Sequence, residues 1–358
     1  MDRLKKIKIN FLWIYLLLIW VAEIALVKIS FILGALLHIM ILFSLFLHGS
    51  FRHKTEETKI YIALSFVPLI RIINISIPIV PISTVYWYIL VEVPGWLAVL
   101  AFIKIFGDRP AELGLKAGRV PLQLTIGIIL GIPLGLLCYL TLLPEPLLPQ
   151  MEILHLIIAI IIVAACALLE ETIFRGILFN QALKIGTRFA YIFSSLAYAA
   201  VHVFYLSIGY VILVIIAAFS FCKLVKYYNS ILAPVAGHLV ASVSAYLIWP
   251  FYYDVFLNAI KEYDNGAMAK MIYIINPLVE NVSQNIISEW PKVTIFVIIF
   301  LIILIILREL SSTIAEYSTP PRLCFSQYFI RQINFGLIPL LYVFALNVFV
   351  KIVEALIY

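Results

Sequence analysis

Residues 157–176 read Ile-Ile-Ala-Ile-Ile-Ile-Val-Ala-Ala-Cys-Ala-Leu-Leu-Glu-Glu-Thr-Ile-Phe-Arg-Gly. An uncharged apolar run ends abruptly in two adjacent carboxylates, with Arg175 in the next turn. At membrane depth the run reads as a helix, because every backbone N–H and C=O must be satisfied inside the segment. A charged residue near mid-bilayer costs about 2.5–3.5 kcal/mol even on insertion scales. Glu170 and Glu171 therefore call for a partner, a water-filled pocket or a task.

The rest of the chain has the same character. It is 64% hydrophobic and 12% charged, with a mean hydropathy of +1.11. A soluble domain carries about twice that share of charge. Apolar stretches of roughly 20 residues recur along its length and mark transmembrane helices. The fold class is all-α, a polytopic helix bundle of about eleven spans embedded in membrane lipid. Spans are expected near 9–27, 29–47, 60–78, 85–106, 121–143, 153–180, 189–206, 208–225, 230–249, 293–307 and 335–357. The third is the weakest, since Pro68 and Arg71 interrupt it.

Met1 to Lys8 is basic and precedes an apolar run. That run carries Glu23 and lacks a small-x-small cleavage signal, so it is expected to be an uncleaved anchor. Three regions follow: residues 1–59 as an N-terminal transmembrane hairpin, 60–250 as a membrane core, and 251–358 as an outer loop and C-terminal transmembrane extension. The net charge of +6 does not point to nucleic acid, because the basic residues punctuate apolar spans instead of lining one face. With the N-terminus in the cytoplasm, the inner segments hold most of the 25 lysines and arginines, and the outer ones keep Lys28, Lys261, Lys270 and Lys292. That bias predicts a multi-pass protein of the cell membrane with its N-terminus inside.

Cys138, Cys166, Cys222 and Cys324 are dispersed, so neither a disulfide framework nor a thiolate metal site is expected. Arg71 and Glu92, on successive spans, are expected to pair. His38, His48, His53 and His155 lie near span ends or in a loop and need no special role. Asn281-Val282-Ser283 fits a glycosylation sequon, a pattern that arises often by chance. Thr319, Pro320 and Pro321 mark a Pro-containing loop between the last two spans.

Three polar motifs fall on separate apolar spans. Glu171 and Arg175 are four residues apart, acid before base, and share a helix face. Glu170 lies about 100° around the helix from Glu171. If Arg175 neutralises Glu171, Glu170 is left to act as a general base; the plainer reading is that both glutamates brace Arg175. His202 follows Tyr198 by one turn among the small residues Ser194, Ser195, Ala199 and Ala200, which allow close helix approach. A lone intramembrane His is more often an interhelical hydrogen-bonding residue than a catalyst. His238 precedes Ser242 by one turn, and the ordinary role of such a hydroxyl is a bond to the preceding turn. A Glu pair and two His on three nearby spans is a far rarer combination than any one member, and the motifs are expected to converge on one pocket.

Glu170-Glu171-x-x-x-Arg175, Tyr198-x-x-x-His202 and His238-x-x-x-Ser242 together resemble the CPBP family. It comprises CAAX prenyl proteases of the Rce1 type and the bacteriocin-processing or immunity (Abi) proteins. The segment Asp108 to Lys116, with Glu112-Leu113-Gly114-Leu115, also resembles that family's entry into its core. The resemblance covers about residues 105–250.

It implies an Rce1-like core and an intramembrane endopeptidase acting on a membrane-associated, possibly prenylated CAAX-type substrate. Glu170 would activate water. His202 would hold that water or polarise the carbonyl, and His238 with Ser242 would stabilise the oxyanion. Glu171, Arg175 and Tyr198 would support them. No cofactor is required on this reading; if zinc were used, Glu170, His202 and His238 would be its ligands, although the His-Glu-x-x-His helix pattern is absent.

Two positions depart from the family pattern. Tyr198 replaces the usual Phe, a change read as mild. Ser242 replaces the usual Asn, so one rotating hydroxyl stands where an amide offers two donors. That loss supports an alternative, a catalytically weak member serving as a membrane scaffold or immunity protein. A proton-coupled transporter is the third option, weakened by the lack of paired Gly/Pro-broken spans.

Overall fold

The computed structural model describes residues 2–51, 55–78, 84–116, 118–148, 150–252, 280–317 and 322–357. Regular structure among them is entirely helical. Eleven helices follow one another: α1 (Asp2–Lys28), α2 (Phe31–Phe51), α3 (Thr55–Asn74), α4 (Thr84–Phe106), α5 (Val120–Leu142), α6 (Ile153–Leu183), α7 (Thr187–Ala200), α8 (Ile208–Tyr228), α9 (Leu232–Tyr252), α10 (Glu280–Tyr317) and α11 (Arg322–Ile357).

By length and composition, nine of these described helices hold a stretch long and apolar enough to cross a membrane. Exposed isoleucines sit four apart on single faces, as at Ile128 and Ile132 on α5, Ile157 and Ile161 on α6, and Ile212 and Ile216 on α8. In water such stripes would be an aggregation hazard; against lipid tails they are the ordinary outer surface. The chain is a multi-pass integral membrane protein.

The remaining two helices, α3 and α7, owe their place to protein neighbours. Leu64, Phe66, Val67, Leu69 and Ile72 of α3 are fully buried, so this helix is enclosed by its neighbours. Enclosure is also what lets it carry charge. Lys59 lies in α3 and is buried, with its Nζ 2.5 Å from Asp108 Oδ1. Arg71 pairs with Glu23 of α1, Nε to Oε1 at 2.9 Å, and not with Glu92. His38, given no special role from sequence, is fully buried with its Nε2 3.5 Å from the same Glu23 oxygen. Helix α7 spans only 14 residues, or about 21 Å, against roughly 30 Å of hydrocarbon. Its C-terminus ends inside the bundle.

The ends of the last two helices also differ from expectation. α10 starts at Glu280 and α11 at Arg322, both well before the apolar runs, because polar residues continue a helix after hydropathy has fallen. The sequon thus begins on α10, while residues 253–279 of the expected outer loop and 318–321 of the Pro-containing loop lie outside the described residues. α11 folds back onto α2 and α4. Gln332 donates to Ser50 Oγ at 2.9 Å, and Asn347 donates to the carbonyl of Ser76 at 2.9 Å. One buried apolar cluster draws residues from helices between α1 and α11.

Two features place the motif helices. Helix α6 is α-helical over Ile153–Glu171, then widens to a π-helix over Thr172–Phe179. Such wide turns are often found at functional sites. Here the Ser194 hydroxyl donates to the Phe174 carbonyl at 2.9 Å, and Asn180 donates to that of Gly176 at 2.8 Å. Gly176 also lets the 110–114 turn press onto α6, since a Cβ there would meet Leu113 O at 2.6 Å. That turn is closed by Glu112, which accepts from the Arg109 N–H at 3.0 Å. The same bond is the main cause holding the Glu112 carboxyl below the usual carboxylate range.

Helix α5 lies along α9 with almost no side chain between them. A Cβ on Gly127, Gly131 or Gly135 would stand 2.5, 2.6 or 2.5 Å from Ala233 O, Gly237 O or Ser244 Cβ. This glycine seam fixes the depth and rotation of the helix that carries His238.

Candidate active site

The two glutamates have different surroundings. Glu171 is fully buried, with Oε2 3.1 Å from Arg175 Nε. Its other oxygen accepts from His238 Nδ1 at 3.0 Å. Glu170 is more open, its side chain retaining 36% exposure. The wide turn carries Arg175 inward, where its guanidinium lies 4.2 Å from the Tyr198 ring centroid and 5.6 Å from that of Phe221. A fully buried cation is thus held by one carboxylate and two aromatic faces.

Glu170 Oε2 accepts the Tyr198 hydroxyl at 2.8 Å and stands 3.9 Å from His238 Nε2. His238 is therefore clamped on one side by Glu171 and faces Glu170 on the other. Because Glu171 is ion-paired and can only accept, Nδ1 of His238 carries a proton, and Nε2 faces Glu170.

His202 lies two residues beyond α7, not within a helix as expected. The cause is local. His202 N bonds to Ala199 O at 3.0 Å, tightening the last turn, and the imidazole Nδ1 takes the Tyr198 carbonyl at 2.9 Å. The side chain thus replaces its own amide as partner of the i−4 carbonyl and caps the helix it ends. A carbonyl can only accept, so Nδ1 carries the proton and Nε2 remains for another group. Its ring lies 4.5 Å from that of Tyr198, within electrostatic reach of Glu170 and His238.

Ser242 lines the same cavity as His238, Arg175, Tyr198, Tyr210 and Tyr246. The cavity measures ≈ 60 Å³, room for a few water molecules. Glu170 and His202 are not on its wall and join it through Tyr198, which touches both. All seven residues singled out from the sequence, Glu170, Glu171, Arg175, Tyr198, His202, His238 and Ser242, form one connected cluster.

One residue was assigned elsewhere. Glu92 of α4 lies beside Cys166 and in the electrostatic field of Glu170 and His238. Its Oε2 is buried without a hydrogen-bond partner among the described residues. Helix α4 comes this close because Gly95, one turn on, leaves room for Leu169, which an added Cβ would meet at 2.6 Å. The signal was present as an acid beside Pro94-Gly95 in an apolar span.

With the cluster in view, residues 151–244 match the family model described as type II CAAX prenyl endopeptidase, Rce1-like. The chain carries an Rce1-like domain. The matched segment begins just before α6 and ends within α9, so it contains every residue of the cluster except Glu92. No curated protein and no solved structure matches the chain. Among the described residues, no three His, Cys, Asp or Glu side chains come together in a group suited to a metal ion.

Proposed function

We propose that this protein is an intramembrane endopeptidase that cuts a membrane-associated peptide, with a prenylated CAAX-type C-terminus as the substrate class. The observation that carries the reading is the unequal treatment of the glutamates. Glu171 is consumed by Arg175 and His238, whereas Glu170 is partly open and meets only a hydroxyl and an imidazole.

In the reaction, Glu170 removes a proton from water and the resulting hydroxide attacks the scissile carbonyl carbon. The negative charge moves to the carbonyl oxygen, where the Ser242 hydroxyl and the Nε2–H of a doubly protonated His238, its Nδ1–H held by Glu171, donate to it. Collapse of the tetrahedral species breaks the C–N bond, and Glu170 returns its proton to the leaving amine. His202, fixed through Nδ1, orients the water. Glu171 and Arg175 hold His238, and Tyr198 orients Glu170. On this reading the step requires no metal. The protein sits in the cell membrane with its N-terminus cytoplasmic.

The test uses the full-length chain in nanodiscs with a prenylated peptide ending in Cys-aliphatic-aliphatic-X, products being read by mass spectrometry. The wild type should release the C-terminal tripeptide, and Glu170→Ala should not. Undiminished cleavage by folded Glu170→Ala would overturn the assignment, and loss on chelation that zinc restores would bring the metal route back. Ser242 favours a second reading, a catalytically weak scaffold or immunity protein. It gains if the wild type releases no product from any prenylated peptide while Ser242→Asn does.

A further inference from the structure

The matched domain leaves out α1 to α3, yet these helices hold the segment that carries His202. Arg71 of α3 is buried, and its guanidinium makes two bonds at once. Nε meets Glu23 Oε1 of α1 at 2.9 Å, and Nη2 donates to the Val201 carbonyl at 2.6 Å. Val201 is the first residue past α7, and its carbonyl has lost its helical partner: the Tyr205 N–H bonds to His202 O instead. On the far side of His202, the Phe204 ring lies under the same guanidinium at 4.9 Å. Arg71 therefore grips the chain on both flanks of His202. From α1, Trp20 Nε1 adds a bond to the Leu196 carbonyl at 3.2 Å.

We infer that Arg71, oriented by Glu23, is a positioning residue for His202, and that the N-terminal helices complete the active site. A fixed planar fork can serve a carboxylate and a carbonyl together, which a lysine ammonium on a flexible stem cannot. Burial of Glu23 at 0% exposure makes the pair costly to form and hard to break. A pair kept only for stability is replaceable by apolar side chains at little cost. One kept for position is not, because the Val201 carbonyl would lose its donor. The rate arm of the test rests on the proteolytic reading; the spectroscopic arm does not.

The full-length protein is labelled at histidine and placed in nanodiscs, and the His202 ring signal is assigned by its loss in His202→Gln. Arg71→Lys and the double variant Glu23→Leu/Arg71→Leu are compared with wild type. Both should move the His202 signal and lower kcat by up to about 10²-fold, with KM within about two-fold. Arg71→Lys keeps the charge, so it tests the position even if the double variant does not fold. An unmoved His202 signal in folded Arg71→Lys overturns the inference, as does an unchanged kcat beside a measurable wild-type rate. If the wild type cuts nothing, the proteolytic reading fails and the His202 signal alone decides this one.

Discussion

Tyr198 donates its hydroxyl to Glu170 Oε2 at 2.8 Å, and through that bond an aromatic side chain governs where the carboxylate points. The same ring covers Arg175, and the main-chain carbonyl of Tyr198 holds His202. The Tyr198 ring also stands 6.4 Å from that of His238, edge to face, so one residue meets all three motifs. Reading Tyr in place of Phe as a mild change missed this, because the ring is shared by both and the hydroxyl alone reaches Glu170.

Removing the hydroxyl should be separable from removing the ring. Tyr198→Phe keeps the face over Arg175 and frees a carboxylate that water can reach, so it should cost about 1 kcal/mol. Tyr198→Ala opens a cavity beside a buried cation and should cost about 3–5 kcal/mol. Thermal unfolding of both variants in one detergent checks the order. Equal losses would mean that the hydroxyl, not the ring, holds the site together.

Glu171 and Glu170 should respond in opposite ways. Glu171→Gln leaves Arg175 buried without its counter-charge, a change worth about 3–5 kcal/mol. Glu170→Gln removes a half-exposed group with no buried cation behind it and should stay within about 1 kcal/mol of wild type. Cleavage should vanish in the second although it folds. A stable Glu171→Gln beside an unstable Glu170→Gln would reverse the roles given to the pair.

Most of the bundle was legible because lipid imposes a simple rule: a long uncharged run has nowhere to go but a helix. The rule failed where protein, not lipid, does the covering. Arg71 counts against α3 as a span in the sequence, but Glu23 meets it inside the bundle, as Asp108 meets Lys59. Those partners lie far away in sequence, so periodicity could not find them. Glu92 was matched to Arg71 for being on the next span, whereas Gly95 brings it to α6. The i, i+4 spacing of Tyr198 and His202 read as helix, and the ring that makes this contact is what ends the helix. The pairing of Glu171 with Arg175 was legible, since acid and base four apart share a face.

The α5–α9 seam makes His238 sensitive to a residue far from it in sequence. A methyl group at Gly131 would stand 2.6 Å from Gly237 O and 2.7 Å from Val240 Cβ, on either side of His238. Backbone cannot give way as a flexible side-chain tip can, so the helices must part. Gly131→Ala should destabilise by about 1–3 kcal/mol and weaken the His238–Glu171 bond. Gly118→Ala meets nothing within 4 Å and is the matched control. Unfolding temperature and the His238 ring signal in nanodiscs check this. If both variants behave like wild type, the seam has slack that the geometry does not show.

Ser242 decides how much activity to expect. It shares the small cavity with His238, where a developing oxyanion would be met by one imidazole and one hydroxyl. Loss of a single oxyanion donor elsewhere costs about 10²–10³ in rate, so Ser242→Asn should raise kcat by a similar order if the amide reaches the same point. The longer side chain must fit within ≈ 60 Å³, a volume that a few waters would fill. Ser242→Ala supplies the other limit, removing the donor without adding bulk, and should fall below wild type. A rise with Asn and a fall with Ala would make Ser242 a working but weak donor. If kcat is the same in Ser242→Ala as in wild type, the hydroxyl is not donating to the oxyanion, and His238 stabilises it without help from Ser242.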